Sequence, residues 1–534
     1  MLTIMKYIII YSIILFFLGS CSFLEEYSQD TVQVRGYEDL EELLIGEGYM
    51  KVNGSYSLEQ VASYYPYLHY MSDETEECEK SDFGSSGFNR RDAIFGYYTW
   101  QDRCGVNEYG SSFADESGDW TKLYYHVNIV NSVIDLIDEY IKGGDNEVAE
   151  ANRVKGEAYF LRGAYYFTLI NLYGKPYEIS TAENDLGVPL KLTGEIQDVI
   201  FQRESVARVY EQIESDLKIA EDCLGKANLL GTIYQADSTA VHLLMSRFYL
   251  YKQDWKQALK YARKVIAVKP DLLDLNGFSG GFLSKSSVET IFSMGGHAIT
   301  HNTVNQYKSF QVSREMYDTY DITDLRKSVF FWTYNDFVGY AKIAESSSFA
   351  NDDPAADYYY NYTLAYEGRK IEVSDNFLFR NAEAYLNGAE AAAYLGDEAT
   401  ALDLLEQLRV KRFKNESYAT LQKSGEELVT EIREERRREL CLEGHRWFDL
   451  RRYMVCEKYP YSKTITHYYT SFDYNGPLYT KRYMLETNDP AYTLALPKEV
   501  LDFQNNLGTN HRPTRTSTDY TPEEPDDVTP PVQE

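Results

Sequence analysis

Apolar residues recur at helical spacing along most of the chain, and this pattern predicts a mostly α-helical protein. Between residues 120 and 140, Leu123, Val127, Val130, Ile134 and Ile137 follow one another at steps of three or four. That period places them on one face of an α-helix. Similar patterns predict helices over residues 152–173, 205–225, 238–268, 376–413 and 428–453.

Segment 428–453 reads LVTEIREERRRELCLEGHRWFDLRRY, and its apolar stripe also carries charged residues, among them Arg436 and Glu443. An ionised side chain buried without a partner is costly. We therefore expect a partly buried network of arginines and carboxylates that clamps helices together, with a solvated charged face as the alternative. The residues to which we assign this structural role are Arg436, Glu439, Glu443, Trp447 and Asp449.

Two of the predicted helical segments resemble tetratricopeptide repeats, in which paired helices carry small and aromatic residues at fixed positions. Tyr249, Ala258 and Pro270 occupy such positions in the first unit, and Gly396 and Ala401 do so in the second. Each unit leaves an apolar face open, so several units must stack. The predicted fold is mostly α, with about four tetratricopeptide-like helix pairs and long irregular insertions that form a ligand-facing half.

The composition excludes some classes of function. With 83 acidic against 53 basic residues, the formal charge is −30, whereas nucleic-acid binding needs a basic surface. The sequence contains no motif of a metalloprotease, serine hydrolase, nucleotide-binding loop or dinucleotide fold. We therefore expect neither an enzyme nor a cofactor, although a glycosidase carboxylate pair leaves no sequence signature. Asp352, Asp353 and Asp357 lack the spacing of a calcium loop, so no metal site is predicted.

The N-terminus has the features of a bacterial lipoprotein signal. The apolar run from Tyr7 to Leu18 is shorter than the roughly 20 residues of a membrane-spanning helix. It leads to Leu18-Gly19-Ser20-Cys21, small residues directly before a cysteine. We predict a signal peptide over residues 1–20 and lipidation of Cys21, with a plain secretory peptide as the alternative. The mature domain then covers residues 21–512, and residues 513–534, rich in Pro, Thr, Asp and Glu, are predicted to be disordered.

Three segments resemble the SusD/RagB family of outer-membrane nutrient-binding lipoproteins. Residues 435–452, ERRRELCLEGHRWFDLRR, match the family signature over a long run. Residues 156–176, GEAYFLRGAYYFTLINLYGKP, resemble a second motif, with Gly156 and Gly163 in the places of alanines. Residues 494–510 resemble the closing segment of the family.

The resemblance implies a lipoprotein that faces the cell exterior at the outer membrane, with an N-terminal part over about residues 22–230 and a C-terminal part over about residues 270–512. Such a protein captures oligosaccharide and passes it to a TonB-dependent, SusC-like barrel. A peptide-binding relative is the nearest alternative. A glycoside hydrolase on a helical scaffold and a purely architectural repeat protein are the alternatives from other classes.

The resemblance also implies a shallow aromatic platform built from the irregular segments. Sugars stack their C–H faces on aromatic rings, while their hydroxyls bond to polar side chains. The chain is rich in suitable rings, with 49 tyrosines, and two segments, residues 64–119 and 271–375, show little periodicity. From location alone, with core packing as the alternative, the predicted contacts are Tyr97, Tyr98, Trp100, Trp332 and Tyr334 for stacking, and Asp73 and Asn107 for hydroxyls.

Overall fold

The computed structural model confirms a mostly helical fold with short strands. It describes residues 34–50, 67–78, 85–112, 116–229, 231–294, 310–334, 336–343, 373–473, 476–504 and 507–521. The predicted signal peptide and Cys21 lie outside these ranges. Within them, we find no helix that combines the length and the apolar character needed to cross a bilayer.

Six of the described helices lie in the N-terminal part of the chain. They are α1 (Tyr37–Leu43, extended by a π-helical turn over Leu44–Gly48), α2 (Leu68–Met71), α3 (Ser85–Tyr98), α4 (Gly118–Ile137), α5 (Asp145–Tyr173) and α6 (Val206–Ala227). Helix α3 corrects the expectation that residues 64–119 are irregular throughout. Helix α5 packs against both α4 and α6, and these contacts begin the helical scaffold.

The remaining described helices continue this scaffold. They are α7 (Ser238–Tyr251), α8 (Trp255–Val268), α9 (Arg314–Tyr317), α10 (Arg326–Phe330), α11 (Asn381–Tyr394), α12 (Glu398–Arg409), α13 (Gly425–Glu439), α14 (Arg446–Met454) and α15 (Lys498–Phe503). Helices α7 and α8 form one tetratricopeptide-like pair, and α11 and α12 form another that packs on α8. The second helix of each pair begins at an aspartate N-cap: Asp254 accepts from Gln257 N at 3.1 Å, and Asp397 accepts from Thr400 N at 3.1 Å.

All strand pairs in the described residues are antiparallel. Four two-stranded sheets join β1 (Thr75–Glu77) to β5 (Phe310–Val312), β2 (Leu186–Pro189) to β3 (Arg203–Ser205), β4 (Thr290–Ser293) to β8 (Leu378–Arg380), and β6 (Phe331–Tyr334) to β7 (Phe337–Tyr340). In the fifth sheet, β10 (Gly476–Leu485) lies between β9 (Ile465–Asp473) and β11 (Thr518–Tyr520). Strand β9 alternates between buried and exposed residues, as expected for a sheet with one face on the core.

Strand β11 corrects the prediction of disorder for residues 513–521, the part of the predicted tail 513–534 that the structure describes. Residues 518–520 pair with 480–482 of β10. Arg515, three residues before this strand, donates to both carboxylate oxygens of Asp489, at 2.7 and 3.1 Å. The start of the tail is therefore part of the fold, and residues 522–534 lie outside the described ranges.

The single helix predicted over residues 428–453 is instead two helices, α13 and α14. Leu442 and Gly444 between them have φ angles of 59° and 80°, in the left-handed region that ends a helix. A Cβ atom at position 444 would lie 2.4 Å from Asn376 Oδ1, so glycine is required there. After the break, Arg446 and Arg451 of α14 reach segments outside the helix pairs, whereas Arg452 binds Glu390 of α11.

Buried ion pairs surround the end of α13. Glu439 is fully buried and accepts hydrogen bonds from Arg326, Arg380 and Arg412 at 2.6–3.0 Å. Glu443 accepts from Arg380 at 2.8 and 2.9 Å. This network joins α13 to β8, to α10 and to the segment after α12.

Two other residues of the predicted network, Arg436 and Asp449, form a second buried centre. The Arg436 guanidinium donates to Asp449 at 2.8 Å and to Asn387 of α11 at 2.7 Å. Trp447, also buried, packs its ring against Tyr492 with centroids 4.8 Å apart. These contacts connect α13, α14 and α11.

The Glu439 centre leads to a prediction about stability. Replacing Glu439 by glutamine removes the negative charge shared by three buried guanidinium groups, and breaking a buried ion pair costs about 3–5 kcal/mol. We expect a loss of that size in the unfolding free energy measured by urea denaturation. Asp222→Asn, which removes the exposed pair with Lys226, is the control and should leave the value unchanged. Equal stability of both variants would contradict the role assigned to the network.

The same carboxylates predict sensitivity to acid. Burial alone would raise the pKa of Glu439 and of Glu443, but the surrounding cations outweigh it and hold both below the usual value. A carboxylate whose pKa is lower in the folded state stabilises the protein above its unfolded pKa, and this contribution disappears as the pH falls. We expect the urea midpoint to be constant above about pH 5 and to drop steeply towards pH 3. A flat profile through that range would contradict this assignment.

Candidate functional site

Two of the predicted stacking residues, Trp100 and Tyr98, are buried around a histidine. Their rings lie on His467 with centroids 4.4 and 4.2 Å away and interplanar angles of 22° and 11°. The Trp100 indole N–H donates to Met71 O at 2.9 Å. This corrects the expectation that the two rings present open faces, because both lie in the core.

His467 itself connects strand β9 to the segment before β1. Its Nδ1 lies 2.7 Å from Tyr98 O and its Nε2 lies 3.1 Å from Ser72 O. Burial lowers the pKa of His467 to about 4, so the ring is neutral near pH 7. The arrangement fixes β9, α3 and the 72–74 turn relative to one another.

Asp73 is a buried counter-ion, which corrects its predicted role as a contact for sugar hydroxyls. Arg446 of α14 donates to both carboxylate oxygens at 2.8 Å, and Lys463 and Arg437 lie at 2.8 and 3.0 Å. Burial would raise the pKa of Asp73, but these cations outweigh it and hold the pKa well below the usual value. The carboxylate is therefore fully occupied within the protein.

The other predicted rings lie deeper than expected or outside the described side chains. Tyr97 stacks on Tyr67 with centroids 4.0 Å apart, and both rings are buried. Trp332 is buried over Gly339, where an added Cβ would lie 2.1 Å from the indole. The expected exposure of Tyr97 and Trp332 is thereby corrected. Tyr334 lies in β6, and its side chain is outside the described part of the structure.

Asn107 forms a loop instead of facing a ligand. Its side-chain oxygen accepts from Tyr109 N at 3.1 Å and from Ser111 N at 3.0 Å. Gly110, with φ +74°, completes the turn. Because an asparagine that accepts from following amides fixes a tight loop, the predicted contact with sugar hydroxyls is corrected to a positioning role. The residue that the loop presents is Tyr109.

The loop and strands β9 and β10 bring together two exposed tyrosines, the half-buried Glu108 and the buried Ser471. We call this cluster the tyrosine rim and define it as Glu108, Tyr109, Ser471 and Tyr479. Tyr109 is 70% exposed and Tyr479 is 43% exposed. Ser471 Oγ donates to one Glu108 oxygen at 3.0 Å, and Tyr479 OH donates to the other at 3.3 Å. The Lys481 ammonium lies 5.0 Å from the centre of the Tyr479 ring.

The tyrosine rim has the chemistry of a shallow polar-aromatic binding surface. The negative charge of Glu108 raises the pKa of Tyr109, so the Tyr109 hydroxyl stays protonated and can donate. Flat apolar faces, hydroxyl donors and a carboxylate acceptor are thus presented together. Among the described residues there is no group of three or more His, Cys, Asp or Glu placed to hold a metal ion, and Asp352, Asp353 and Asp357 lie outside those residues.

Sequence reasoning missed the tyrosine rim because exposure follows from strand pairing. Tyr479 comes directly after a bulge in the pairing of β10 with β9, opposite Ser471. One signal was available: the stretch Asn107-Glu108-Tyr109-Gly110-Ser111 has the asparagine and glycine of a tight turn. A tyrosine within such a turn is expected to be exposed to solvent.

The Asn107 loop gives a prediction about local order. Asn107→Ala removes the acceptor of two backbone amides, each hydrogen bond contributing about 1 kcal/mol. Hydrogen exchange at Tyr109 and Ser111, followed by mass spectrometry, should become about fivefold faster. Asn107→Asp keeps an oxygen acceptor and is the matched control. If the alanine variant exchanges like the wild type, the side chain does not hold the loop.

Comparison with protein families gives two matches. A sequence model of the SusD family matches residues 358–511, and a model described as starch-binding associating with outer membrane matches residues 56–250. The chain is 26% identical over 468 residues to SusD-like protein P2 of Formosa agariphila, covering 78% of this chain and 88% of that protein. It is 22% identical over 384 residues to a SusD-like protein of Bacteroides ovatus, covering 62% of this chain and 65% of that protein.

Solved structures give the same fold. A SusD-like carbohydrate binding protein from Bacteroides vulgatus superposes with a TM-score of 0.62 at 21% identity, covering 90% of this chain and 99% of that one. Surface glycan-binding protein A from Bacteroides uniformis superposes with a TM-score of 0.61 at 17% identity, covering 89% and 99%. At these identities the likeness establishes the architecture alone.

Proposed function

Since the chain belongs to the SusD-like family, we propose that it binds oligosaccharide or polysaccharide at the outer membrane and delivers it to a TonB-dependent, SusC-like transporter. The observation that carries the binding role is the tyrosine rim, where exposed rings surround a carboxylate. The names of the relatives support a glycan as the cargo. Delivery to the barrel, lipidation of Cys21 and a position facing the cell exterior belong to the same proposal.

The chemistry of the tyrosine rim fits a sugar better than it fits an ion or an apolar molecule. The C–H face of a pyranose packs on an aromatic ring, and its hydroxyls need hydrogen-bond partners close by. Tyr109 and Tyr479 supply the rings, and Glu108 supplies an acceptor between them. The open position of the rings suits a polymer that continues beyond the contact in both directions.

The buried residues beneath the tyrosine rim have a supporting role in this proposal. The stack of Tyr98, His467 and Trp100 fixes β9 from below, and Asp73 fixes the adjoining turn through Arg446. A binding surface that is rigid before the ligand arrives loses less conformational entropy on binding. Tyr98, Trp100 and Asp73, which the sequence predicts as ligand contacts, thus support the tyrosine rim from within the core and do not contact the ligand themselves.

The proposal predicts the effect of removing both exposed rings. Replacing Tyr109 and Tyr479 by alanine should weaken retention in native gels containing amylopectin, arabinoxylan or laminarin. We expect a loss of at least about fivefold on whichever polymer retains the wild type, because each aromatic contact contributes roughly 0.5–1.5 kcal/mol. Tyr234→Ala is the matched control, since Tyr234 is 39% exposed and lies between α6 and α7.

The same samples separate the alternatives. Retention of the double variant equal to that of the wild type would remove the tyrosine rim from the site. Binding of a peptide library with retention by none of the three polymers would replace the glycan by a peptide as cargo. Release of reducing ends from a retained polymer would make the protein a hydrolase, whereas the proposal expects none.

A further inference from the structure

A second pair of exposed tyrosines lies on the other face of the three-stranded sheet. The rings of Tyr468 on β9 and Tyr520 on β11 have centroids 4.3 Å apart and an interplanar angle of 40°. Each residue is 37% exposed. At this distance the two rings pack against each other, and the parts that stay open to solvent form a small apolar surface on the sheet face, of the kind that binds ligands.

The register of the sheet explains how these rings meet. Tyr468 is paired with Arg482 of the central strand, and Tyr520 is paired with Thr480, two residues along the same strand. Residues two apart on a strand share a face, so both tyrosines lie on the face that carries Arg482 and Thr480. Their rings come together over β10 from opposite sides.

Polar groups flank the two rings. Arg482 Nε donates to Thr518 Oγ1 at 3.3 Å, and both side chains are exposed. The hydroxyls of Thr470 and Thr480 lie 3.0 Å apart, and both residues are half-buried. We call the set Tyr468, Tyr520, Arg482, Thr518 and Thr480 the sheet patch. It combines two partly exposed rings with a guanidinium and hydroxyls, which are groups that can recognise a pyranose.

We propose that the sheet patch is a second glycan-contact surface, which takes another stretch of the polysaccharide bound at the tyrosine rim. This inference rests on the proposed function. The ligand class follows from the polar and aromatic groups and from continuity, because each cluster includes residues of the β9–β10 hairpin. Tyr479 is paired with Ser471, three residues along β9 from Tyr468, and this separation spans roughly 10 Å.

The two surfaces face opposite sides of the hairpin, since Ser471 is buried with the inward set of β9 whereas Tyr468 belongs to the exposed set. One polymer chain bound at both surfaces has to pass over the hairpin. Once the first contact holds the chain, the second forms at a high effective concentration. The sheet patch should therefore contribute more to binding of long chains than of short ones.

The terminal strand is essential to this surface. Thr518 and Tyr520 belong to β11, in the tail that the composition predicts to be disordered. The ordered tail is tied to the domain through the pairing of β11 with β10 and through the bond of Arg515 to Asp489. The sheet patch therefore forms only when this segment is ordered, because β11 supplies Thr518 and Tyr520.

The test compares full-length variants in native gels containing amylopectin, arabinoxylan or laminarin. In the patch variant, Tyr468→Thr and Tyr520→Thr are combined, because threonine keeps the propensity for strands. Tyr234→Thr is the control for loss of an equally exposed tyrosine. Thermal unfolding and circular dichroism identify any variant that has lost the sheet. Calorimetry with a long and a short oligosaccharide of the retained polymer measures the dependence on chain length.

We expect the patch variant to weaken retention of the polymer about fivefold, with a smaller effect on a short oligosaccharide. Wild-type retention by a folded patch variant would overturn the inference and leave the proposed function intact. A wild type retained by none of the polymers would overturn both. If the patch variant loses retention while the variant with Tyr109→Ala and Tyr479→Ala keeps it fully, the result supports the sheet patch and contradicts the tyrosine rim. If the patch variant differs from the wild type only in binding of a peptide library, the choice of a glycan as the ligand is overturned.

Discussion

The carboxylate of Glu439 is the contact on which the rest of the structure depends. It receives hydrogen bonds from guanidinium groups at the start of α10, in β8 and after α12. Removing these charges from water costs several kcal/mol per ion, and only close, well-directed pairing offsets that cost. The network therefore permits one arrangement of three separate segments and turns stacked helices into a fixed frame.

The frame reaches the proposed binding face through α14. Arg446, close after the break in the signature, donates to Asp73, and the neighbouring Ser72 carbonyl lies against His467 of β9. On one side of β9 the histidine is held between Tyr98 and Trp100, and on the other side Tyr468 is open to solvent. A signature that looks purely structural in the sequence thus determines where the exposed rings lie.

Periodicity was enough to predict the helical scaffold, because the spacing of apolar residues directly reports which helix face is buried. It did not predict the break at Gly444, which depends on the approach of Asn376. The candidate ligand contacts were harder to predict. Trp100 and Tyr98 lie in a segment with little periodicity, and their burial follows from the distant His467. Polarity in Ile465–Asp473 does not follow burial, since His467 and Ser471 are buried and Tyr468 is exposed. The exposure of Tyr468 therefore depends on strand pairing, which was not available from composition.

The location of the exposed rings bears on the kind of ligand that the fold can hold. A groove of about 460 Å³, lined by Trp255 and Leu395 among others, lies at the turns of the helix pairs and not at either tyrosine cluster. Tyr468 and Tyr479 instead lie on opposite faces of the β9–β10 hairpin, and Tyr109 and Tyr520 lie in a neighbouring loop and in β11. A ligand at these positions stays largely in water. An open surface buries little area per sugar, so affinity has to come from repeated contacts along a chain. This geometry favours a polymer over a single small molecule, because only a long chain can use several weak contacts at once.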